Sequence, residues 1–174
     1  MLDFDDVSNI VSGLAEKVVG NFTAAGLSLS AAESCTGGMF ASAVVSIPRA
    51  SAVFKGSAVC YCDAAKMRVL SVPAEILEAH FAESRECAAA MACGAMEIFS
   101  SDFAVSTTGF MDSNVGDKPE ELAGCAFVAV ARRSPGVRAE LKVEKIVLNP
   151  SAKRDYNRAC VVACALKQLV EFGK

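Results

Sequence analysis

The chain has 174 residues, of which 53% are apolar and 21% are charged, and its 17 basic and 20 acidic side chains give a formal net charge of −3. This length predicts one domain, spanning 1–174, that buries a hydrophobic core without disulfide or metal staples. The acidic balance excludes a protein that binds nucleic acid through a basic stripe. No apolar run reaches the roughly 18 residues of a membrane span, and the acidic start lacks the basic segment of a secretory signal. We therefore expect a cytoplasmic protein with neither a nucleic-acid nor a membrane partner.

The first half of the sequence alternates predicted helices and strands. Apolar spacing predicts a helix over 6–25, a strand over 27–33, a helix over 39–47, a strand over 55–62 and a helix over 64–70. The small-residue turn 34–38 (SCTGG) joins the first strand to the second helix. Backbone N–H groups at the start of a helix can hold an anion or a developing oxyanion, so this turn is a candidate site.

The second half completes the sheet and its covering helices. We predict helices over 74–80 and 84–99, a strand over 103–107, a surface loop over 110–123, a hairpin of strands 125–131 and 137–147, and a closing helix through 172 that is capped by 149–151. The order of elements predicts a single three-layer α/β/α domain built around a mixed sheet.

Cysteine and histidine usage argues against a metal centre. The eight cysteines lie in apolar segments with no C-x-x-C spacing, and His80 is the only histidine. We predict reduced cysteines in the core, no bound metal and a surface role for His80 at a helix end.

Ser34 stands just after a predicted strand, at the sheet edge where open α/β folds bind ligands. Its hydroxyl is a candidate nucleophile. The alternative is that Ser34 caps the following helix, which the residue type by itself favours, and Thr36 competes for that cap.

Other polar residues are predicted at the same edge. Tyr61 and Lys66 flank a strand-to-helix turn, and a desolvated lysine can accept a proton from a serine, although a solvated helix lysine is the simpler interpretation. Thr108, with Thr107, ends the third strand, where both hydroxyls have the alternative role of capping the chain's exit.

Arg154 and Arg158 are four residues apart and share one face of the last helix. Their guanidinium groups could hold a phosphate, or they could form surface ion pairs with Asp155.

Several segments, in order along the chain, resemble the CinA C-terminal domain family, which includes stand-alone PncC-like enzymes. They are 32–38 (AESCTGG), 51–54 (SAVF), 59–66 (VCYCDAAK), 69–73 (VLSVP), 88–95 (AAAMACGA), 104–109 (AVSTTG), 118–119 (KP) and the pair Arg154 and Arg158. The matches extend from residue 30 to residue 169, and this makes chance an unsatisfactory explanation.

The resemblance implies hydrolysis of nicotinamide mononucleotide to nicotinate mononucleotide and ammonia, a salvage reaction that uses no cofactor. It implies that Ser34 is the nucleophile and Lys66 the general base. Ser51, Tyr61 and Thr108 match residues that surround the reacting carbonyl, and either Arg154 or Arg158 matches a substrate arginine. Substrate-binding roles are expected for Thr36, Gly37, Gly38 and Gly109.

The chain departs from the family pattern at three places, one of which is Phe81, where the family has glycine after His80. The family's glycine-rich loop is here 109–116 (GFMDSNVG), and Asp63 replaces an asparagine. Two alternatives therefore stay open: a catalytically silent nucleotide-binding domain, and an amidase for a different amide. The alanine-rich helices also predict a homodimer.

Overall fold

The computed structural model describes residues 3–173, which form six α-helices, two short 3₁₀ helices and five strands. In chain order the helices and strands are α1 (Phe4–Ala25), β1 (Leu29–Glu33), α2 (Met39–Val45), β2 (Phe54–Val59), α3 (Asp63–Leu70), α4 (Ala74–His80), α5 (Arg85–Ile98), β3 (Phe103–Gly109), β4 (Cys125–Ser134), β5 (Val137–Val147) and α6 (Arg154–Phe172). The 3₁₀ helices are Ala50–Ala52 and Glu120–Leu122.

The five strands form one mixed sheet in the order β2-β1-β3-β4-β5. The first three are parallel, whereas β4 pairs antiparallel with both β3 and β5. β1 and β3 are neighbours in the sheet, and Glu33 at the end of β1 pairs with Thr107. The carboxyl ends of these two buried strands therefore meet at one edge, which is where ligands bind in open α/β sheets.

Side chains that alternate along the strands divide the core into two halves. In β4, Val128 and Val130 pack with α1, α2 and α6 on one face, whereas Ala129 and Ala131 pack with α3, α4 and α5 on the other. This is the period of two that a strand buried on both faces requires. The predicted three-layer α/β/α architecture with a mixed sheet is confirmed.

Gly94 lets two helices of the second layer approach each other. A Cβ at this position would lie 2.1 Å from the backbone oxygen of Leu70, at the end of α3. The missing side chain therefore brings α3 against α5, and this contact fixes where the first turns of α3 lie relative to the sheet edge.

The predicted cap of the last helix is wrong. The segment 149–151 does not cap α6, which begins at Arg154 after Lys153 with no side-chain cap. Asn149 is used otherwise: its Oδ1 accepts the N–H of Ser151 at 3.0 Å and its carbonyl accepts Asn157 Nδ2 at 2.7 Å.

The predicted surface loop 110–123 is not wholly at the surface. The side chains of Met111 and Val115 are buried and hold the loop against the domain. Strand β3 also extends to Gly109, two residues beyond the prediction, because it continues to pair with β4.

Most of the smaller predictions agree with the structure. His80 is the exposed last residue of α4, 4.0 Å from Glu86. Five cysteines are buried as predicted, but Cys62 is exposed and Cys160 and Cys164 are half-buried, so the core assignment is wrong for these three. Over residues 3–173 no helix is both long and apolar enough to cross a membrane.

Candidate active site

A cavity of about 230 Å³ opens where β1 and β3 end. Its lining includes Ser34, Cys35, Tyr61, Glu83, Gly109, Phe110, Met111, Asp112, Asn114 and Arg154. These residues come from the turn after β1, the segment after β2, the segment before α5, the end of β3 with the loop that follows it, and the start of α6. Ser34, Tyr61, Gly109 and Arg154 were predicted as site residues, and the structure brings them together.

Ser34 and Lys66 form the central contact of the site. Lys66 Nζ lies 3.2 Å from Ser34 Oγ and also donates to the carbonyl of Cys60 at 3.1 Å. Only 1% of Lys66 is exposed, so the interpretation of Lys66 as a solvated surface lysine is wrong. The Ser34 N–H donates to the carbonyl of Thr107 at 2.9 Å, which fixes the serine backbone to the neighbouring strand.

Glu33 caps helix α2 through its side chain. Its carboxylate accepts the backbone N–H groups of Gly38, Phe40 and Ala41 at 2.9 to 3.0 Å, and it also accepts the hydroxyl of Thr36 at 2.8 Å. A carboxylate at a helix N-terminus satisfies several unpaired donors and complements the helix dipole. The predicted cap by Ser34 or Thr36 is therefore wrong, and the Ser34 hydroxyl is left for Lys66.

The turn leaves only a few backbone donors available for an oxyanion. The Gly37 N–H donates to the carbonyl of Ser34 at 3.1 Å and the Gly38 N–H to Glu33. The N–H groups of Cys35 and Thr36, by contrast, donate to no backbone carbonyl in the described part of the chain. Gly37 and Gly38 hold the turn with positive φ angles, and their expected role in substrate binding stays a prediction.

Arg154 is the cationic side chain at the cavity wall. Its Nη1 lies 2.5 Å from Asp112 Oδ2, and its Nη2 donates to the Tyr61 hydroxyl at 3.2 Å. Tyr61 lies beyond the end of β2 rather than within the strand, and it is 65% exposed. Arg154 and Tyr61 are therefore one hydrogen-bonded group at the site.

Arg158 has a different role from Arg154. Its Nη2 and Nε donate to the carbonyl of Thr36 at 2.6 and 3.2 Å, and its Nη1 pairs with Asp155 at 2.8 Å. The guanidinium group thus ties helix α6 to the turn after β1. Of the two arginines, only Arg154 lines the cavity.

Two predicted site residues do not reach the cavity. Thr108 is fully buried and donates its hydroxyl to the carbonyl of Ala82 at 2.7 Å. Ser51 lies in the 3₁₀ helix before β2 and lines a separate hollow with Ser46, Arg49 and Phe54. Their proposed contacts with a reacting carbonyl stay predictions. Thr36 is also buried, where its hydroxyl lies 2.7 Å from that of Thr107.

Gly109 shapes the cavity wall through its backbone. Its φ of +147° is a conformation that other residues rarely adopt, and a Cβ here would lie 2.4 Å from the Cα of Ala126. A side chain would clash with strand β4, so glycine is needed for the loop to leave the sheet at this point.

Sequence reasoning missed two charged residues at the cavity. Burial raises the pKa of the Glu83 carboxyl, and the nearby positive charge of Lys66 opposes that rise. Asp112 belongs to an aperiodic loop and meets Arg154 across 42 positions of sequence, which no local pattern indicates. Cys35 also lines the cavity, but burial raises the pKa of its thiol to about 12, so it stays protonated at neutral pH and is a poor nucleophile.

The family model for the CinA C-terminal domain matches residues 11–172. A CinA-like protein from Dictyoglomus thermophilum is 35% identical over 143 residues, which are 82% of this chain and 33% of that protein. A protein from Shewanella oneidensis named nicotinamide-nucleotide amidohydrolase PncC is 38% identical over 158 residues, which are 90% of this chain and 35% of that protein. The chain spans about a third of the length of these curated relatives.

Solved structures match along almost the whole chain. The competence/damage inducible protein CihA from Agrobacterium tumefaciens superposes with a TM-score of 0.87 at 32% identity, covering 95% of this chain and 96% of that one. A CinA superfamily protein from Escherichia coli gives a TM-score of 0.81 at 30% identity, covering 99% of this chain and 93% of that one. Because the family model matches residues 11–172 of the chain and these structures share its fold, the chain belongs to the CinA C-terminal domain family.

Proposed function

We propose that this chain hydrolyses a carboxamide, with Ser34 as the nucleophile and Lys66 as the general base. The observation that carries the proposal is the 3.2 Å contact between Lys66 Nζ and Ser34 Oγ at the wall of a cavity. A serine hydroxyl needs an adjacent base to become a nucleophile, and a lysine amine can serve as that base. Within residues 3–173, Lys66 is the only side chain that hydrogen-bonds to the Ser34 hydroxyl.

The reaction proceeds through an ester on Ser34. As Ser34 Oγ attacks the amide carbon, its proton passes to the amine of Lys66, which this step requires in the unprotonated form, and the carbonyl oxygen becomes an oxyanion. The N–H groups of Cys35 and Thr36, which donate to no backbone carbonyl, stabilise that charge. The Lys66 ammonium then protonates the leaving nitrogen, the C–N bond breaks and ammonia departs.

Water completes the cycle. Lys66, neutral again, takes a proton from a water molecule, whose oxygen attacks the ester carbon. The second tetrahedral intermediate collapses, the C–O bond to Ser34 breaks, and Lys66 returns the proton to Ser34 Oγ. The product is the carboxylic acid, and the two steps together consume one water and release one ammonia.

We propose nicotinamide mononucleotide as the substrate. The Shewanella oneidensis relative with that activity in its name, at 38% identity, supports this choice. So does Arg154, which lines the cavity and can hold a phosphate through two guanidinium N–H groups. Both residues of the proposed catalytic pair lie in segments that resemble the family, 32–38 and 59–66.

The first experiment is a turnover assay without added metal. Purified protein is incubated with nicotinamide mononucleotide, and ammonia and nicotinate mononucleotide are measured in parallel. Equal amounts of the two products, absent with Ser34→Ala, would support both the substrate and the nucleophile. Undiminished turnover by Ser34→Ala would contradict the mechanism.

A second candidate function is favoured by the contact between Asp112 and Arg154. Because a carboxylate occupies the arginine that a substrate phosphate would need, an amide without a phosphate is an alternative substrate. Release of ammonia from nicotinamide riboside but not from the mononucleotide would favour that candidate. Stabilisation by the mononucleotide without any product would instead favour a silent nucleotide-binding domain.

The homodimer and the cytoplasmic location stay predictions.

A further inference from the structure

The chain's own carboxylate neutralises the cationic group of the cavity. Asp112 Oδ2 lies 2.5 Å from Arg154 Nη1, and the two side chains are 36% and 48% exposed. Arg154 is the only cationic side chain among the described residues that line the cavity. Any ligand that brings an anionic group to this wall must therefore take Arg154 from Asp112.

The backbone on either side of Asp112 is fixed. Phe110 N–H donates to the carbonyl of Cys125 at 2.8 Å, and Asn157 Nδ2 donates to the carbonyl of Met111 at 2.6 Å. The carbonyl of Asp112 itself accepts the N–H of Gly124 at 3.1 Å. With the main chain held at three consecutive residues, the carboxylate can leave Arg154 by rotation of its own side chain.

A second acceptor role of Asp112 limits where that carboxylate goes. Its Oδ1 accepts the N–H of Asn114 at 3.0 Å, so Asp112 also stabilises the loop locally. The carboxylate therefore stays near the cavity wall after it releases the arginine. An anionic group bound at this wall would therefore compete with the Asp112 carboxylate for Arg154. It would also lie close to the negative charge of that carboxylate.

We propose that Asp112 is a specificity-determining residue that competes with the phosphate monoester of a ligand for Arg154. The competition lowers the affinity of this cavity for phosphorylated ligands and leaves the affinity for their neutral counterparts unchanged. The inference rests on the proposed function only in taking the cavity beside Ser34 as the place where substrate binds.

The test compares Asp112→Asn with the unmodified chain by calorimetric titration of ribose 5-phosphate, which has no amide and cannot be turned over. Replacing the carboxylate with an amide of the same size should tighten the binding of ribose 5-phosphate about three- to tenfold. The amide no longer forms an ion pair with Arg154, and it no longer repels the phosphate. Asp117→Asn is the matched control: it lies in the same loop, carries the same charge and does not line the cavity. It should bind with the affinity of the unmodified chain.

Three results would overturn the proposal: equal affinity in Asp112→Asn and the unmodified chain, an equal gain in Asp117→Asn, or no binding of ribose 5-phosphate by any of the three proteins. Asp112→Ser serves in place of Asp112→Asn if the latter fails to fold. A separate arm titrates nicotinamide riboside and nicotinamide mononucleotide into Ser34→Ala, where only the mononucleotide should gain from Asp112→Asn. Absence of ammonia from the mononucleotide would contradict the proposed function and leave the ribose 5-phosphate result to decide this inference.

Discussion

Lys66 Nζ lies 3.2 Å from Ser34 Oγ, although 32 positions of sequence separate the two residues. The contact arises because parallel strands β1 and β2 end at the same edge of the sheet, and α3 starts beside that edge. Neither side chain is displayed on the surface, since Ser34 is 7% and Lys66 is 1% exposed. The pair is thus prearranged by the fold before any ligand arrives.

Removal of the amine of Lys66 should abolish turnover without unfolding the chain. Lys66→Met keeps an unbranched side chain of similar length in the buried position, whereas the proton acceptor is lost. We expect kcat for nicotinamide mononucleotide to fall at least about a thousandfold with little change in the melting temperature. Lys55→Met, at an exposed lysine of β2, is the control and should retain full activity. Comparable rates for the two variants would show that Lys66 is not the base.

The carboxylate of Glu33 should be important for stability. It accepts three backbone N–H groups and the hydroxyls of Thr36 and Ser57. Glu33→Gln has one acceptor oxygen instead of two, and its NH₂ group faces the N–H donors. The free energy of unfolding, measured in urea, should therefore fall by about 3 kcal/mol. Ser57→Ala removes a single bond of the same network and should cost only about 1 kcal/mol. Similar losses in both variants would mean that the cap on α2 contributes little.

Gly109→Ala should destabilise the domain through a steric clash. The new Cβ would lie 2.4 Å from the Cα of Ala126, and the φ of +147° adds backbone strain. We expect a loss of about 2 to 4 kcal/mol in thermal or chemical unfolding. Gly116→Ala is the matched control, because Gly116 also has a positive φ, +63°, but nothing within 4 Å of the added atom. Gly116→Ala should lower the free energy of unfolding by about 1 kcal/mol. Equal losses in the two variants would mean that backbone strain, and not the steric clash, causes the whole effect.

Glu83→Gln should stabilise the chain at neutral pH. Burial raises the pKa of Glu83 in the folded state, so the folded chain binds the proton more tightly than the unfolded chain does. The ionised carboxylate therefore costs stability that appears as pH rises through the unfolded-state pKa and is complete above the folded-state pKa. Melting temperatures of Glu83→Gln and the unmodified chain, measured from acidic to neutral pH, should coincide in acid and separate toward neutrality. A constant difference across that range would contradict the assigned cause. Glu86→Gln, at an exposed residue of α5 three positions after Glu83, serves as the control.

The general arrangement of fold and site follows from local sequence patterns. Apolar periodicity locates the helices and strands, and the rule that ligands bind at the carboxyl ends of parallel strands points to Ser34 and Lys66. Ser34 directly follows a predicted strand, and Lys66 lies in the helix that follows the next predicted strand, although the residue types by themselves favoured a helix cap and a solvated lysine. The family resemblance adds the chemistry of the pair, which periodicity cannot supply.

The remaining features of the site depend on which donor meets which acceptor over long separations. Ser34 looked like a helix cap because short hydroxyl side chains usually fill that role, yet the longer side chain of Glu33 reaches the same donors. Thr108 stands at the correct strand end but donates its hydroxyl to Ala82 instead of facing the cavity. Which donor meets which acceptor depends on the length of the side chains and on how they pack in three dimensions. Neither the spacing of residues nor the composition of the chain predicts these contacts.

The bond from the Ser34 N–H to the carbonyl of Thr107 joins the proposed nucleophile to the central ladder of the sheet. This amide cannot exchange its hydrogen with solvent unless β1 and β3 separate, and that event is a large part of global unfolding. In deuterated water we therefore expect the Ser34 amide to exchange among the slowest in the chain, whereas Ser113, exposed in the loop beside Asp112, exchanges early. The proposed reaction centre thus combines a nucleophile whose amide has near-global protection with a neighbouring loop position whose amide exchanges early.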